Sequence, residues 1–306
     1  MIGPVTRQFQ RGAALCLAAL VSALGAIGAI GISGCGKEPA SPPVATPTVT
    51  LDHDRVPAGS ALEITYKFVV ADGATFDQDY RVFAHVKDSD GERIWDDDHN
   101  PPVPTSQWKP GQTVQYTRTI FVPVFPYIGD ATLEIGLYST TGEEKRLSLN
   151  GENVGQLAYR VARLELQPQT ENLYSVFKEG WNMVESPQQN SLVEWQWTKK
   201  EAVLAFKNPK KDATLYLDLD SPGSPFDGQQ VQITLGGHVI ETFTVTPKDR
   251  LMRKIKLPAA QMGSDEMSEA HIMVDKTFTP AQLNPGASKD MRVLGVRVFH
   301  AYVDGR

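Results

Sequence analysis

From Val49 onward the chain is written in period two. Short runs rich in Val, Ile, Thr, Tyr and Phe alternate with polar residues and are cut by Gly, Pro, Asn and Asp clusters, the signature of half-buried β-strands. Ala61-Leu62-Glu63-Ile64-Thr65-Tyr66-Lys67-Phe68 shows the alternation cleanly. Tyr80 to Val86, Thr113 to Ile120, Ala131 to Tyr138 and Leu157 to Leu164 repeat it. Asp88-Ser89-Asp90-Gly91 and Thr141-Gly142 supply turn chemistry, since Gly accepts positive φ and Asp bonds its own backbone. With no amphipathic helix in this stretch, an antiparallel sandwich is the expected fold.

A polar junction, Gln167-Pro168-Gln169-Thr170-Glu171-Asn172, precedes a second strand series: Leu192 to Trp197, Ala202 to Phe206, Ala213 to Leu219 and Val231 to Leu235. Gly236-Gly237 reads as a hairpin turn before His238 to Phe243, and Leu251 to Leu257, Ala270 to Val274 and Val293 to Val303 follow. Pro280 to Leu283 is the one candidate helical turn in this half. The expected fold class is therefore all-β, with two tandem antiparallel sandwiches over residues 48–166 and 173–306, Ig-like and then jelly-roll-like. A length of 306 residues suits two such domains. No short-period repeat suggests a solenoid or propeller.

The first 36 residues concern location. Arg7 and Arg11 are the only charges before Lys37, and the 25 residues from Gly12 to Gly36 are uncharged and dominated by Ala, Leu, Ile and Gly. A basic start before an apolar, helix-forming run is the layout of an export signal. The run is also long enough for a retained membrane helix. At its end, Ile32-Ser33-Gly34-Cys35 resembles the bacterial lipobox, an aliphatic residue and two small ones before the cysteine that receives lipid. That resemblance implies a signal peptide at 1–34, lipid on Cys35, membrane attachment through that lipid, and a lipidated Pro-rich tether at 35–47. Several acyl chains hold more firmly than one. Cys16 would leave with the signal, so no free thiol would remain for catalysis. Gly36 stands where the inner-membrane retention signal of such lipoproteins carries Asp, so outer membrane is the expected location. Removing Arg7 and Arg11 leaves 28 basic against 36 acidic residues, about −8 in all. That charge argues against a nucleic-acid partner.

Tyr80 to Val86, Asp90-Gly91, Asp98 to Pro102, Pro104 to Trp108, Pro110-Gly111 and Gly136-Leu137-Tyr138 together resemble a recurring bacterial extracellular β-sandwich module. In the second half, Glu179-Gly180-Trp181, Trp197-Thr198, Phe278-Thr279-Pro280 and Asp290 to Val296 look like a jelly-roll-like accessory domain of sugar-processing envelope proteins. These resemblances imply fold and setting, and carry no catalytic set across.

Candidate sites are few. Asp96-Asp97-Asp98-His99-Asn100 is the densest polar cluster; Asp96 and Asp98 would share a strand face and suit a structural calcium ion, or simply form a solvated strand end. Trp195 and Trp197 also share a face and, with Trp181, would stack on sugar rings if exposed, or fill a core if not. Asp290 and Arg292 would bracket a ligand or pair with each other. The six histidines show no metal-ligand spacing, and no serine elbow, P-loop or dinucleotide fingerprint is present. No cofactor is expected. The expected role is a non-catalytic envelope accessory protein that binds polysaccharide or a polysaccharide-handling membrane complex. Two alternatives remain open: a scaffolding lipoprotein for another envelope protein, and a glycan hydrolase marked by two carboxylates in one pocket.

Overall fold

The computed structural model describes residues 41–124, 127–142, 145–169, 175–187, 193–247 and 249–305. Cys35, the signal segment and the first part of the tether lie outside them. The first domain holds β1 (Ala45–Leu51), β2 (Arg55–Pro57), β3 (Ala61–Val70), β4 (Tyr80–Lys87), β5 (Arg93–Asp96), β6 (Thr113–Phe121), β7 (Gly129–Ser139), β8 (Arg146–Leu147), β9 (Glu152–Gly155) and β10 (Ala158–Gln167). One sheet runs β1-β3-β6; the other runs β2-β10-β7-β4-β5, with β8 on β7 and β9 on β10.

The second domain holds β11 (Ser175–Phe177), β12 (Gln196–Trp197), β13 (Glu201–Lys207), β14 (Ala213–Asp220), β15 (Gln229–Leu235), β16 (His238–Val245), β17 (Leu251–Leu257), β18 (Met267–Val274), the single-turn helix α1 (Pro280–Leu283) and β19 (Arg297–Asp304). Its sheets are β11-β13-β18-β15-β16 and β12-β19-β14-β17. The chain is thus all-β, as its alternation requires. β2 against β10 pairs parallel, an exception to the expected antiparallel pattern.

Three boundaries differ from expectation. β1 begins at Ala45, so residues 45–47 of the tether stretch already belong to a sheet. Pro47 is tolerated there because β1 is an edge strand. The last strand starts at Arg297 rather than Val293, because Leu294 bridges Phe278 in an irregular segment instead. Leu192 lies outside the described residues, and β12 is only Gln196–Trp197.

Each domain buries one apolar core between its sheets. Tyr66, Phe68, Val82, Trp95, Trp108, Ile135 and Leu137 anchor the first, and Leu204, Leu215, Leu217, Ile233, Ile255, Ile272 and Val296 the second. These are the inward positions of the period-two pattern, which is why alternation predicted them. A smaller cluster of Ala61, Phe121, Tyr216 and Tyr302 joins the two sandwiches. There Phe121 stacks on His300 with centroids 4.4 Å apart, and Glu63 accepts a hydrogen bond from the Tyr216 hydroxyl and pairs with Lys254 at 2.7 Å. Ala61 sits at this junction while Val70, at the far end of β3, pairs with Ala45. The chain therefore enters the first domain about 30 Å from the second, at 3.3 Å per strand residue.

Candidate functional site

The tryptophans do not form an open platform. Trp95, Trp108 and Trp197 are buried, and Trp181 and Trp195 are partly covered. Trp181 donates its Nε1 proton to the Val203 carbonyl at 2.8 Å and meets Phe177 edge-on beside the second core. Trp195 and Trp197 do share a face, as their spacing requires. That face is already occupied: the Arg297 guanidinium lies 4.6 Å from one ring and 5.9 Å from the other, while Phe278 packs edge-on against Trp197. Arg297 is held in place by both carboxylate oxygens of Asp220, at 2.8 and 2.7 Å. Of the two roles the sequence left open for Trp181, Trp195 and Trp197, the contacts here are those of packing, with apolar and cationic partners within the domain.

Asp290 and Arg292 come together as an ion pair. Arg292 donates to both Asp290 oxygens, with Nη2 at 2.7 Å, and also to Glu185. Two carboxylates share one guanidinium, and the hydrogen bonds from Arg292 hold the Asp290 carboxyl below its usual range. The pair ties the irregular segment to the strand bridge between Glu185 and Trp195.

The aspartate cluster divides as the alternation required, with Asp97 inward and Asp96 and Asp98 outward. Asp97 takes a bidentate pair of hydrogen bonds from Arg118 at 2.8 and 2.6 Å and a third from the Tyr66 hydroxyl at 3.2 Å. Asp96 stands 3.7 Å from Arg93. Asp98 accepts from the Ala84 amide at 3.1 Å and the Tyr138 hydroxyl at 3.3 Å. Among the described residues no group of three or more His, Cys, Asp or Glu side chains is arranged to hold a metal ion.

What the structure assembles instead is a depression of about 320 Å³ on the outer face of the larger first-domain sheet. It is lined by Phe83, His85, Arg93, Asp98, Tyr138 and Arg146, among others. β4 aims Arg81, Phe83 and His85 to this face at successive odd positions, while Val82, Ala84 and Val86 face the core. Phe83 lies opposite Gly136 on β7, and its ring occupies the space a Cβ there would need. A side chain at 136 would also come within 2.8 Å of the Leu157 carbonyl, so the glycine is what lets the ring lie flat on the sheet. Arg146 then covers Phe83 at 4.7 Å, and Arg81 covers Tyr138 at 5.7 Å. The hollow thus offers the partly exposed Tyr138 ring, guanidinium edges, an imidazole and one carboxylate, while Phe83 is itself buried beneath Arg146. Sequence reading recognised the strand and named Asp98, but passed over Arg81, Phe83, His85, Tyr138 and Arg146 as site residues. The i, i+2, i+4 spacing of Arg81, Phe83 and His85 was the available signal.

A second, larger groove of about 580 Å³ sits at the other end of the same sheet, among Asp54, Asp88, Glu134, Arg160 and Glu165. Three of its carboxylates are engaged in structure. Asp88 caps the turn amides of Asp90 and Glu92, Glu134 pairs with Lys87 at 2.8 Å, and Glu165 stands 3.3 Å from Arg55.

No protein-family model matches the chain, and no curated protein matches it in sequence. Among solved structures it is similar to the C-terminal domain of wzt, at 10% identity and a TM-score of 0.30, over 42% of this chain and 77% of that one. A β-glucuronidase of Bacteroides uniformis gives 11% identity and a TM-score of 0.30, over 84% of this chain and 30% of that one. The secreted serine protease VesC from Vibrio cholerae gives 10% and 0.23, over 85% and 51%. The chain therefore spans about a third and about half of the last two proteins. At these scores the likeness carries no functional information.

Two histidines near the hollow give the fold a pH signature. Burial pushes both His85 and His99 below the ordinary imidazole range. His99 lies beneath the aspartate cluster as the Nδ1–H tautomer, donating to the Asp97 carbonyl at 2.7 Å and accepting from the Tyr116 hydroxyl at 2.8 Å. Unfolding restores an ordinary pKa of about 6.5, so below that value the unfolded chain binds protons that the folded one does not. Stability is then full above about pH 6.5 and falls as pH drops from there, by at most about 1.4 kcal/mol per pH unit per histidine. Urea midpoints from pH 8 to 5 should be flat and then decline; a midpoint that rises on acidification contradicts the assignment.

Proposed function

We propose that this chain is a lipid-anchored accessory protein of a bacterial cell envelope that works by binding, without catalysis of its own. Its ligand is a polysaccharide, or a membrane complex that handles one. The supporting observation is the hollow beside Tyr138: shallow, and furnished with one partly exposed ring, an imidazole and hydrogen-bonding edges, a mixture that sugars match. The anchor rests on Ile32-Ser33-Gly34-Cys35 after the apolar run. Among the described residues no helix is long and apolar enough to cross a membrane. Outer-membrane residence follows from Gly36 beside the lipidated cysteine.

The test uses the full chain purified in detergent and titrated calorimetrically with bacterial and plant oligosaccharides. Affinity in the millimolar to micromolar range is expected, roughly −4 to −8 kcal/mol, and Tyr138→Ala should weaken it at least tenfold. In cells, Cys35→Ser should abolish labelling by an alkynyl fatty acid and release the protein from the membrane fraction. Saccharide binding untouched by Tyr138→Ala would move the site elsewhere, and retained labelling of Cys35→Ser would remove the anchor.

A second reading, a scaffold for another envelope protein, is favoured by one observation. Met183 is 84% exposed and Met291 69% exposed, and Val184 and Val293 are exposed beside them around Arg292. The Asn182 side chain donates to the Val293 carbonyl at 3.1 Å, which brings the two segments together at one end of the second domain. Exposed apolar side chains gathered in this way mark contact surfaces.

A further inference from the structure

Several guanidinium groups among the described residues are matched to a carboxylate within the protein. Arg118, Arg250, Arg292 and Arg297 each fork onto an aspartate, Asp97, Asp218, Asp290 and Asp220 respectively, and Arg160 pairs with Glu152 at 2.6 Å. Two of these also stack on rings: Arg250 lies 3.7 Å from the Phe299 centroid and Arg297 4.6 Å from Trp195. In the second domain, then, stacking presents the donor edge of the guanidinium and an internal aspartate takes it.

Beside the first-domain hollow, the stacked guanidinium of Arg81 is placed differently. Arg81, on the same sheet face at the margin of the hollow, covers the Tyr138 ring and donates to the Asp98 main-chain carbonyl at 3.0 Å, while its Nε is buried with no hydrogen-bond partner. Arg93, beside His85 at 3.5 Å from its Nε2, is exposed and forms a long ion pair with the equally exposed Asp96 at 3.7 Å, a pairing that water screens and a ligand can displace. The lining carboxylate among the described residues is Asp98, already engaged by the Ala84 amide and the Tyr138 hydroxyl. Arg81 and His85 are four residues apart on β4, about 13 Å along the strand, with Arg93 beside His85. That span suits two to three sugar units.

We propose that this hollow takes an acidic glycan, with Arg81 and Arg93 receiving carboxylate or phosphate groups of successive sugar units. The proposal rests on the saccharide reading above and names the ligand class within it. A planar guanidinium held by a ring has lost much of its rotational freedom before the ligand arrives. It meets a carboxylate or phosphate through two parallel N–H donors, which a neutral hydroxyl cannot match. The protein carries a formal net charge of −6, so these two cations work against the overall field and act locally.

The test titrates the full chain in detergent with oligogalacturonate, hyaluronan and polysialic acid, and with maltohexaose as the neutral comparator. At least one acidic glycan should bind ten times or more tightly than maltohexaose, and its affinity should fall as salt rises. Arg81→Gln and Arg93→Gln should each lower acidic-glycan affinity about tenfold while leaving the melting temperature unchanged; Arg160→Gln, outside the hollow, should change neither. Equal binding of acidic and neutral chains, or acidic binding unaffected by both variants, overturns the acidic assignment and leaves the saccharide reading standing. No binding of any saccharide overturns both.

Discussion

Arg118→Ala should be among the most destabilising single substitutions in the first domain, at about 3–5 kcal/mol, the range for breaking a buried ion pair by removing one partner. The Asp97 side chain is only 10% exposed, and Arg118 supplies two of its three side-chain donors. Taking the guanidinium away leaves a carboxylate in a site that desolvates it, with the Tyr66 hydroxyl as its remaining side-chain donor. The same surroundings push the Tyr66 phenol far above its ordinary pKa, first by burial and then by the Asp97 charge. Urea unfolding at pH 7.5 reads the loss. A loss under about 1 kcal/mol would falsify the buried-pair account. The double change Arg118→Met with Asp97→Leu should recover most of the loss, since it removes both charges together.

Gly180→Ala should be comparably damaging in the second domain. Gly180 has φ +79°, where an L side chain already costs roughly 1–2 kcal/mol. A Cβ there would also collide with the Glu201 carbonyl and come within 2.8 Å of the Ala202 Cα, at the start of a core strand. Backbone cannot swing aside as the end of a side chain can, so an overpacking term of roughly 1–3 kcal/mol adds to the torsional one. The hydrogen bond from the Lys199 amide to the Gly180 carbonyl, at 2.7 Å, shows how closely the two segments run. A drop of roughly 2–5 kcal/mol in the chemical stability of the second domain is expected. Gly91→Ala is the internal comparison: its φ is +83°, but no atom lies within 4 Å of the added methyl group. It should lose only the torsional part. Equal losses at the two positions would mean that close packing at Gly180 contributes nothing.

Much of the architecture was legible because strand alternation is a local property. Leu62, Ile64, Tyr66 and Phe68 point inward in β3 for the same reason that they alternate with Glu63, Thr65 and Lys67. The Gly236-Gly237 hairpin was equally readable, since both residues adopt positive φ, at 57° and 79°. The split of the aspartate cluster, Asp97 inward and its neighbours outward, followed from the same period. The tryptophans show where that reasoning stops. Spacing placed Trp195 and Trp197 on one face correctly, but it carried no sign that Arg297, a hundred residues later, would cover that face.

By itself the sequence determined the all-β class, the two strand series, most of the core, and the apolar run that ends at Cys35. Each of these depends on residues near one another in the chain. Only the tertiary structure decided which sheet faces stay open and which charges are already satisfied. The hollow is assembled from β4, the Arg93 strand and the Tyr138 strand, which the sheet order β7-β4-β5 brings side by side. Whether an arginine forks onto an aspartate, as at Arg118 and Arg297, or turns to a main-chain carbonyl, as at Arg81, is set by cross-strand register and side-chain reach. Those are long-range quantities, and a period of two is silent about them.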